Sequence, residues 1–133
     1  MTGTAAAAVV SPVGRWLNRA RVGGWAVRAW WRVHRGIRIG PLAQVVVPAP
    51  PARAPGRGRG AVLCALRLLR ASCLERALVL QRWDAAGHRP RDVVVGVCLA
   101  GNRMRAHAWL DGEDPRGDFV EIHRRPPTIG AGR

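Results

Sequence analysis

The chain has 133 residues, which is enough for one domain with a modest core and too few for a second full domain. Its net charge is +14, but all 22 basic residues are arginines, which looks like GC-rich coding bias and supports nucleic-acid binding only weakly. Three cysteines without C-x-x-C spacing argue against a disulfide framework or a structural zinc site, and they favour a cytoplasmic protein.

The N-terminal region is expected to be helical. The apolar run 5–10 is too short for a signal peptide or a membrane span. Residues 13–35 then repeat apolar side chains at helical spacing, interleaved with arginines. The apolar positions are Trp16, Ala20, Val27, Trp30 and Trp31, and the arginines are Arg15, Arg19, Arg28, Arg32 and Arg35. Because Gly23 and Gly24 each cost about 1 kcal/mol inside a helix, two short helices fit as well as one.

Two interpretations of this basic segment stay open. Its tryptophans can pack on the core while its arginines are solvated. Alternatively, it can lie on an anionic membrane or grip an acidic partner peptide. The following apolar run, residues 41–47, is expected to be a strand.

The composition divides the chain into four parts. Residues 1–47 form a basic, tryptophan-containing helical region, and residues 48–60, nearly all Pro, Ala, Arg and Gly, form a linker. Residues 61–123 form the main folded unit, and residues 124–133 form a flexible tail. The unit opens with a short helix, residues 61–69, in which we expect Cys64 to be a core residue.

A helix start carrying a thiol follows. Ser72 and Glu75 have the S-x-x-E spacing of a capping box, which puts Cys73 at the first helical position. The unpaired amides and the positive end of the helix dipole favour a thiolate there. The plainer interpretation is that Cys73 is a small apolar residue where a helix enters the core. The helix runs to residue 86 before Gly87, with Glu75, Arg76 and Arg82 opposite its apolar side.

An antiparallel sheet is predicted after this helix. Residues 92–99 and 103–110 flank a turn and read as a hairpin. Alternation puts Arg105, His107 and Trp109 on one face of the second strand. Residues 118–122 are expected to be a third strand beside the second. The fold class is therefore α+β, with N-terminal helices and a central helix packed on a small antiparallel sheet.

Cys73, His107 and Asp118 form a candidate catalytic triad. His107 would keep the thiol of Cys73 as a thiolate and then donate a proton to the departing amine. Asp118 would orient the imidazole through its other nitrogen. Asp111, Asp114 and Glu121 are also close in sequence; of these, Asp111 shares the strand of His107 but lies about 13 Å along it.

These residues carry a family resemblance. The run from Cys73 to Leu80, the apolar strand at Val93–Val97, the Ala-His107-Ala-Trp109 segment and Gly117-Asp118 resemble, in order, leader peptidases of lasso-peptide biosynthesis. These are B-type maturation proteins with a transglutaminase-like, papain-related fold. The resemblance covers about 50 residues; Glu75 stands where that family often has proline, and the segment from His107 to Asp118 is about one residue short.

The resemblance implies a cysteine protease that removes the leader from a ribosomally made precursor peptide, with Cys73, His107 and Asp118 as its triad. A separate ATP-dependent cyclase would then close the macrolactam ring. Because only about 60 residues precede the catalytic segment, a separate leader-recognition protein is the expected partner. No cofactor, metal or nucleic acid is expected.

Two other classes of function remain open. The same triad would serve a transglutaminase-like acyl transferase, in which an amine replaces water as the acceptor. A non-enzymatic, arginine-rich binder of nucleic acid or of a membrane surface would use the charge alone, but the arginines are scattered over the whole chain.

Overall fold

The computed structural model describes residues 11–52 and 58–128 of the chain. Its elements are helix α1 (Pro12–Ile39), a 3-10 turn (Leu42–Gln44), helices α2 (Arg59–Leu68) and α3 (Cys73–Ala86), and strands β1 (Val93–Ala100), β2 (Arg103–Leu110) and β3 (Val120–Arg125). The predicted α+β class is confirmed. The apolar run 5–10, the middle of the expected linker and residues 129–133 of the expected tail lie outside the described residues.

Helix α1 is one continuous helix of 28 residues. Ser11 caps it, accepting a hydrogen bond from the N–H of Gly14 at 3.2 Å, and Pro12 occupies the first turn. Gly23 and Gly24 do not break it, because residues on both sides of them are anchored in the core. In the described part of the chain, no helix has both the length and the apolarity that crossing a membrane would require.

The three helices and the sheet share one core. It draws on Val22, Ala29 and Val33 of α1, Val62 and Leu66 of α2, Leu78 and Trp83 of α3, and Val93, Ala108 and Leu110 of the sheet. The rings of Trp25 and Trp83 meet in it with their centroids 5.3 Å apart. Cys64 is exposed, so its expected place in the core is wrong: α2 buries Val62 and Leu66, one helical turn apart, and position 64 faces away from them.

The expected strand at residues 41–47 is also wrong. A 3-10 turn at Leu42–Gln44 is followed by extended chain without a ladder partner. The Arg125 guanidinium donates hydrogen bonds to the carbonyls of Leu42 and Val45, at 2.7 and 2.6 Å. A side chain therefore satisfies carbonyl groups that strand pairing would otherwise have used.

The sheet is antiparallel and has the order β2-β1-β3. The predicted hairpin of β1 and β2 is confirmed, but the third strand lies beside β1, so its expected place beside the second strand is wrong. Residues 111–119 are long enough to carry the chain past the end of β1. Arg124 then ties β3 down, because its Nη1 donates to Asp92 at 3.1 Å and to Asp111 at 2.9 Å.

Candidate active site

The start of α3 has the predicted capping box. The Ser72 hydroxyl accepts from the Glu75 N–H at 3.2 Å, and the Glu75 carboxylate accepts from the Ser72 N–H at 3.3 Å. Cys73 is therefore the first helical residue, and its side chain is half-buried. Its thiol lies where the helix dipole and unpaired amides favour a negative charge.

Glu75 was expected to lie opposite the apolar side of α3, yet it is buried. One carboxylate oxygen accepts a hydrogen bond from the Trp30 indole N–H at 2.8 Å. The other lies 2.9 Å from Nδ1 of His34. Polar partners on α1 make burial of this side chain possible, which the periodicity of α3 alone did not indicate. Glu75 therefore fixes the helix start to α1.

The environment of Glu75 acts on its ionisation in two directions. Burial by itself raises the pKa of the carboxyl group. Hydrogen bonds from His34, Trp30 and the Ser72 backbone outweigh that effect and hold the pKa below its usual value. Glu75 is thus a carboxylate at neutral pH, and it lies in the same first turn of α3 as Cys73.

His107 lies on β2, the edge strand nearest α3. Its ring stacks on Trp109, with the centroids 5.9 Å apart and the planes at 22°. The Phe119 ring is tilted against it from another direction, at 5.3 Å. These two aromatic contacts restrict the orientation of the imidazole, which is half-buried.

Gly96 explains how Phe119 reaches His107 from the far side of β1. Gly96 pairs with His107 on one side and with Glu121 on the other. A Cβ at this position would lie 2.7 Å from the Trp109 ring and 3.1 Å from Cβ of Phe119. The missing side chain therefore lets the aromatic residues of β2 and of the loop before β3 meet above β1.

Cys73 and His107 line the same cavity, of about 110 Å³. The other lining residues are Arg76, Ala77, Leu80, Ala108, Trp109, Leu110, Glu113 and Asp114. The helix start and the edge strand thus bring the predicted nucleophile and the predicted base to one small cleft. Among the described residues no hydrogen bond joins the Cys73 thiol to the His107 imidazole. His107 shares a strand face with Trp109, and the alternate residues Ala108 and Leu110 face the core.

Asp118 is not among the residues that line this cavity. It is exposed in the loop that precedes β3, and β3 lies two strand spacings, about 10 Å, from β2. Its neighbour Phe119 is the residue that contacts His107. The loop therefore reaches the imidazole with an aromatic ring, and the carboxylate lies one residue away from that contact.

Two other acids do line the cavity. Asp114 had been an alternative for the third triad member, and its carboxylate accepts from the Arg116 N–H at 2.9 Å. Glu113 was not considered from the sequence; its carboxylate lies 3.6 Å from the guanidinium of Arg59. The signal that could have found both is their position immediately beyond the end of the histidine strand. Asp111 instead pairs with Arg124 away from the cavity.

The remaining histidines and cysteines have other places. His34 contacts Glu75, while His88 and His123 are exposed. Cys98 is half-buried on β1. Within residues 11–52 and 58–128, no group of three or more His, Cys, Asp or Glu side chains could hold a metal ion.

A comparison with protein families identifies the superfamily of the chain. Residues 21–124, which are most of the chain, match the Transglutaminase-like superfamily, and the chain belongs to that superfamily. The superfamily is of the cysteine-protease and acyltransferase type. The matched range includes Cys73, His107 and Asp118. No curated protein and no solved structure matches the chain.

Proposed function

We propose that this protein is a cysteine peptidase that removes the leader from a ribosomally synthesised lasso-peptide precursor. The observation that supports this most directly is the cavity shared by Cys73, at a capped helix start, and His107, on the adjacent edge strand. Membership of the Transglutaminase-like superfamily supports the reaction class. The family resemblance of the segments around Cys73 and His107 supports the substrate class.

The chemistry proceeds in two steps. The Cys73 thiolate attacks the scissile carbonyl carbon, and His107 donates a proton to the departing amine, which leaves a thioester. His107 then takes a proton from water as that water attacks the thioester, which releases the acid and restores the thiol. The Cys73 N–H, at the first helical position, is the proposed backbone donor for the oxyanion.

Asp118 is the proposed third member, which orients the imidazole. Asp118 lies outside the lining of the cavity, and catalytic hydrogen bonds often tighten only when substrate binds. The loop would have to turn so that the Asp118 carboxylate takes the place that Phe119 now occupies beside His107.

A separate leader-recognition protein would deliver the precursor, and a separate cyclase would act on the product in the cytoplasm. The first partner is proposed from the family resemblance. The described residues before α2 form α1 and a 3-10 turn, with no strand, and α1 is packed into the core beneath the candidate site. These residues are therefore occupied in supporting the fold rather than forming an independent leader-binding sheet.

The test is mass spectrometry of precursor processing, with a precursor peptide encoded by a neighbouring gene and its recognition protein supplied. Cys73→Ala should lower cleavage by at least about a thousandfold, because the thiol is the attacking group. Cys64→Ser and Cys98→Ser are matched controls and should process normally. Cleavage retained in Cys73→Ala would overturn the proposal, and transfer of the acyl group to an added amine instead of water would favour the acyl-transferase alternative.

Alkylation of the thiol gives a second readout that needs no substrate. Iodoacetamide at mildly acidic pH should label Cys73 ahead of the other two cysteines, because thiolate character determines the rate. Cys64 is the stringent comparison, since it is exposed while Cys73 is only half-buried. Faster labelling of Cys64 would contradict an activated thiol at the helix start.

A further inference from the structure

Helix α1 has an apolar side that faces away from the core. We name it the outer stripe: it consists of Val13, Trp16, Leu17, Val27 and Trp31, which are 67%, 68%, 52%, 45% and 52% exposed. These positions follow three- and four-residue spacing, through the small residues Ala20 and Gly24. The stripe is about 27 Å long. Exposed apolar groups arranged in one line are characteristic of an interaction surface.

The charge around the outer stripe has a single sign. Helix α1 contains seven arginines, all exposed, and no acidic residue: Arg15, Arg19, Arg21, Arg28, Arg32, Arg35 and Arg38. The ion pairs among the described residues include none of them. Arg28 and Arg35 lie three and four residues from Trp31, so they flank it on the helix surface.

We propose that the outer stripe docks α1 lengthwise on an anionic membrane surface. Tryptophan rings prefer the headgroup level of a bilayer, and guanidinium groups beside them can bind lipid phosphates. The stripe runs along one continuous helix. Cavities of about 340, 460 and 540 Å³ in the described part of the chain are lined by residues outside the stripe. A continuous, uniformly basic ridge fits a flat fluid surface better than the pocketed face of a folded partner.

Docking in this way leaves the candidate active site open. The cavity that Cys73 and His107 share is lined by α3, β2 and the loop after β2, and by no residue of α1. The opposite side of α1 stays in the core through Val22, Ala29 and Val33. Membrane docking therefore stands independently of the peptidase reaction and would place that reaction at the membrane surface.

Flotation of the full chain with vesicles tests the proposal. Equimolar phosphatidylcholine and phosphatidylglycerol vesicles are compared with phosphatidylcholine alone. The wild type should float only with the anionic vesicles, and high salt should release it. Trp16→Ala combined with Trp31→Ala should lower vesicle partitioning by about tenfold or more. The matched control is Leu99→Ala combined with Met104→Ala, which removes two even more exposed apolar side chains from the hairpin and should float like the wild type.

The charge contribution is measured in the same assay. Arg28→Gln and Arg35→Gln should each reduce partitioning about fivefold, whereas Arg103→Gln and Arg105→Gln, exposed on β2, should have little effect. Circular dichroism confirms that each variant is folded. Bromine-labelled lipid should quench the tryptophan fluorescence of the wild type. It should quench the fluorescence of the Trp16→Phe, Trp31→Phe double variant less.

Three outcomes would overturn membrane docking. These are absence of flotation, equal flotation with both vesicle types, and stripe variants that float like the wild type. If the wild type binds no vesicles but self-associates in sedimentation, and the stripe variants do not self-associate, the surface belongs to a contact with a second copy of the chain. Cys73→Ala should float normally, and the stripe variants should keep selective Cys73 alkylation, so failure of docking and failure of the peptidase proposal can be told apart.

Discussion

The two sides of the candidate active site are built differently. Cys73 sits on a helix start that reciprocal hydrogen bonds cap and that buried Glu75 ties to Trp30 and His34. Asp118 sits on an exposed loop, and the described residues provide it with no side-chain hydrogen bond to His107. The folded core thus positions the proposed nucleophile, whereas the position of the proposed acid depends on the conformation of a surface loop.

His107 is held less firmly than Cys73 and more firmly than Asp118. Its backbone is held in the β1–β2 ladder, but its ring is restrained by Trp109 and Phe119 rather than by a hydrogen bond to an acid. The backbone of His107 is therefore fixed, although the described residues include no hydrogen bond between its imidazole and the Cys73 thiol. The third residue is the part of the site that substrate binding or a partner would complete.

The largest effect expected from a test of this difference concerns the acid. Asp118→Asn should slow precursor cleavage by roughly a hundredfold, because the imidazole would lose its orienting carboxylate and imidazolium stabilisation. Substitutions at the two acids that line the cavity, Glu113→Gln and Asp114→Asn, should be close to the wild type. The measurement is the rate of cleavage with each purified variant.

Asp111→Asn is the matched control for that series. It removes an acid on the same loop that pairs with Arg124 outside the cavity. If Glu113→Gln or Asp114→Asn caused the large loss instead, the orienting acid would be the one already in the cavity. The loop would then not need to move, and the two sides of the site would be equally preorganised.

A substitution on the α3 side of the site should change the free energy of unfolding. Glu75→Ala should lower the free energy of unfolding by about 1–3 kcal/mol, since it removes the acceptor of the half-buried Trp30 indole N–H and one half of the capping box with Ser72. Glu121→Ala is the control, because that exposed carboxylate pairs with Arg124 in solvent and its loss should change the stability little. Denaturant unfolding measures both changes. Equal losses would mean that the buried cluster does not secure the helix start.

The same carboxylate predicts a pH dependence. The folded pKa of Glu75 lies below its value in the unfolded chain, so its contribution to stability is present above the unfolded pKa and is lost as pH falls through the folded pKa. Glu75→Gln should therefore flatten the acid limb of a plot of unfolding free energy against pH. An unchanged acid limb would contradict the assigned role of the hydrogen bonds from His34, Trp30 and Ser72.

A smaller effect is expected on the strand side. Gly96→Ala should lower the free energy of unfolding by about 1–2 kcal/mol, because its Cβ would displace Trp109 and Phe119 from their contact above β1. Cleavage should also slow, since both rings pack against His107. Gly60→Ala, at a helical position with open space around the added methyl group, should be neutral or slightly stabilising. A Gly96→Ala variant as stable and active as the wild type would show that the aromatic contacts do not position the histidine.

Sequence patterns over a few neighbouring residues predicted much of the fold and the local surroundings of Cys73 and His107. The capping box at Ser72 and Glu75 and the hairpin around residue 101 each depend on residues a few positions apart, so their sequence patterns suffice. The alternation that put His107 and Trp109 on one face is of the same kind. The third triad member could not be placed in this way, because its position depends on the path of a nine-residue connection.

Amphipathic periodicity also failed where polar partners came from another element. The pattern of α3 put Glu75 opposite its apolar side, but Trp30 and His34 on α1 provide the hydrogen bonds that allow its burial. Similarly, the pattern of α1 left open whether its tryptophans face the core or an external surface. The structure turns Trp25 into the core and leaves Trp16 and Trp31 exposed, because one helix cannot present all of them to the same side.

Sequence patterns predicted where α3 begins, that Cys73 occupies its first turn, that β1 and β2 form a hairpin, and that His107 and Trp109 share a strand face. Short-range hydrogen bonding and side-chain alternation decide these features. Three features are visible only in the tertiary structure: β3 pairs with β1, Glu75 is buried, and Cys73 and His107 line one cavity. Those features depend on which distant surfaces pack together, and the free energy of such contacts is shared among residues far apart in the chain.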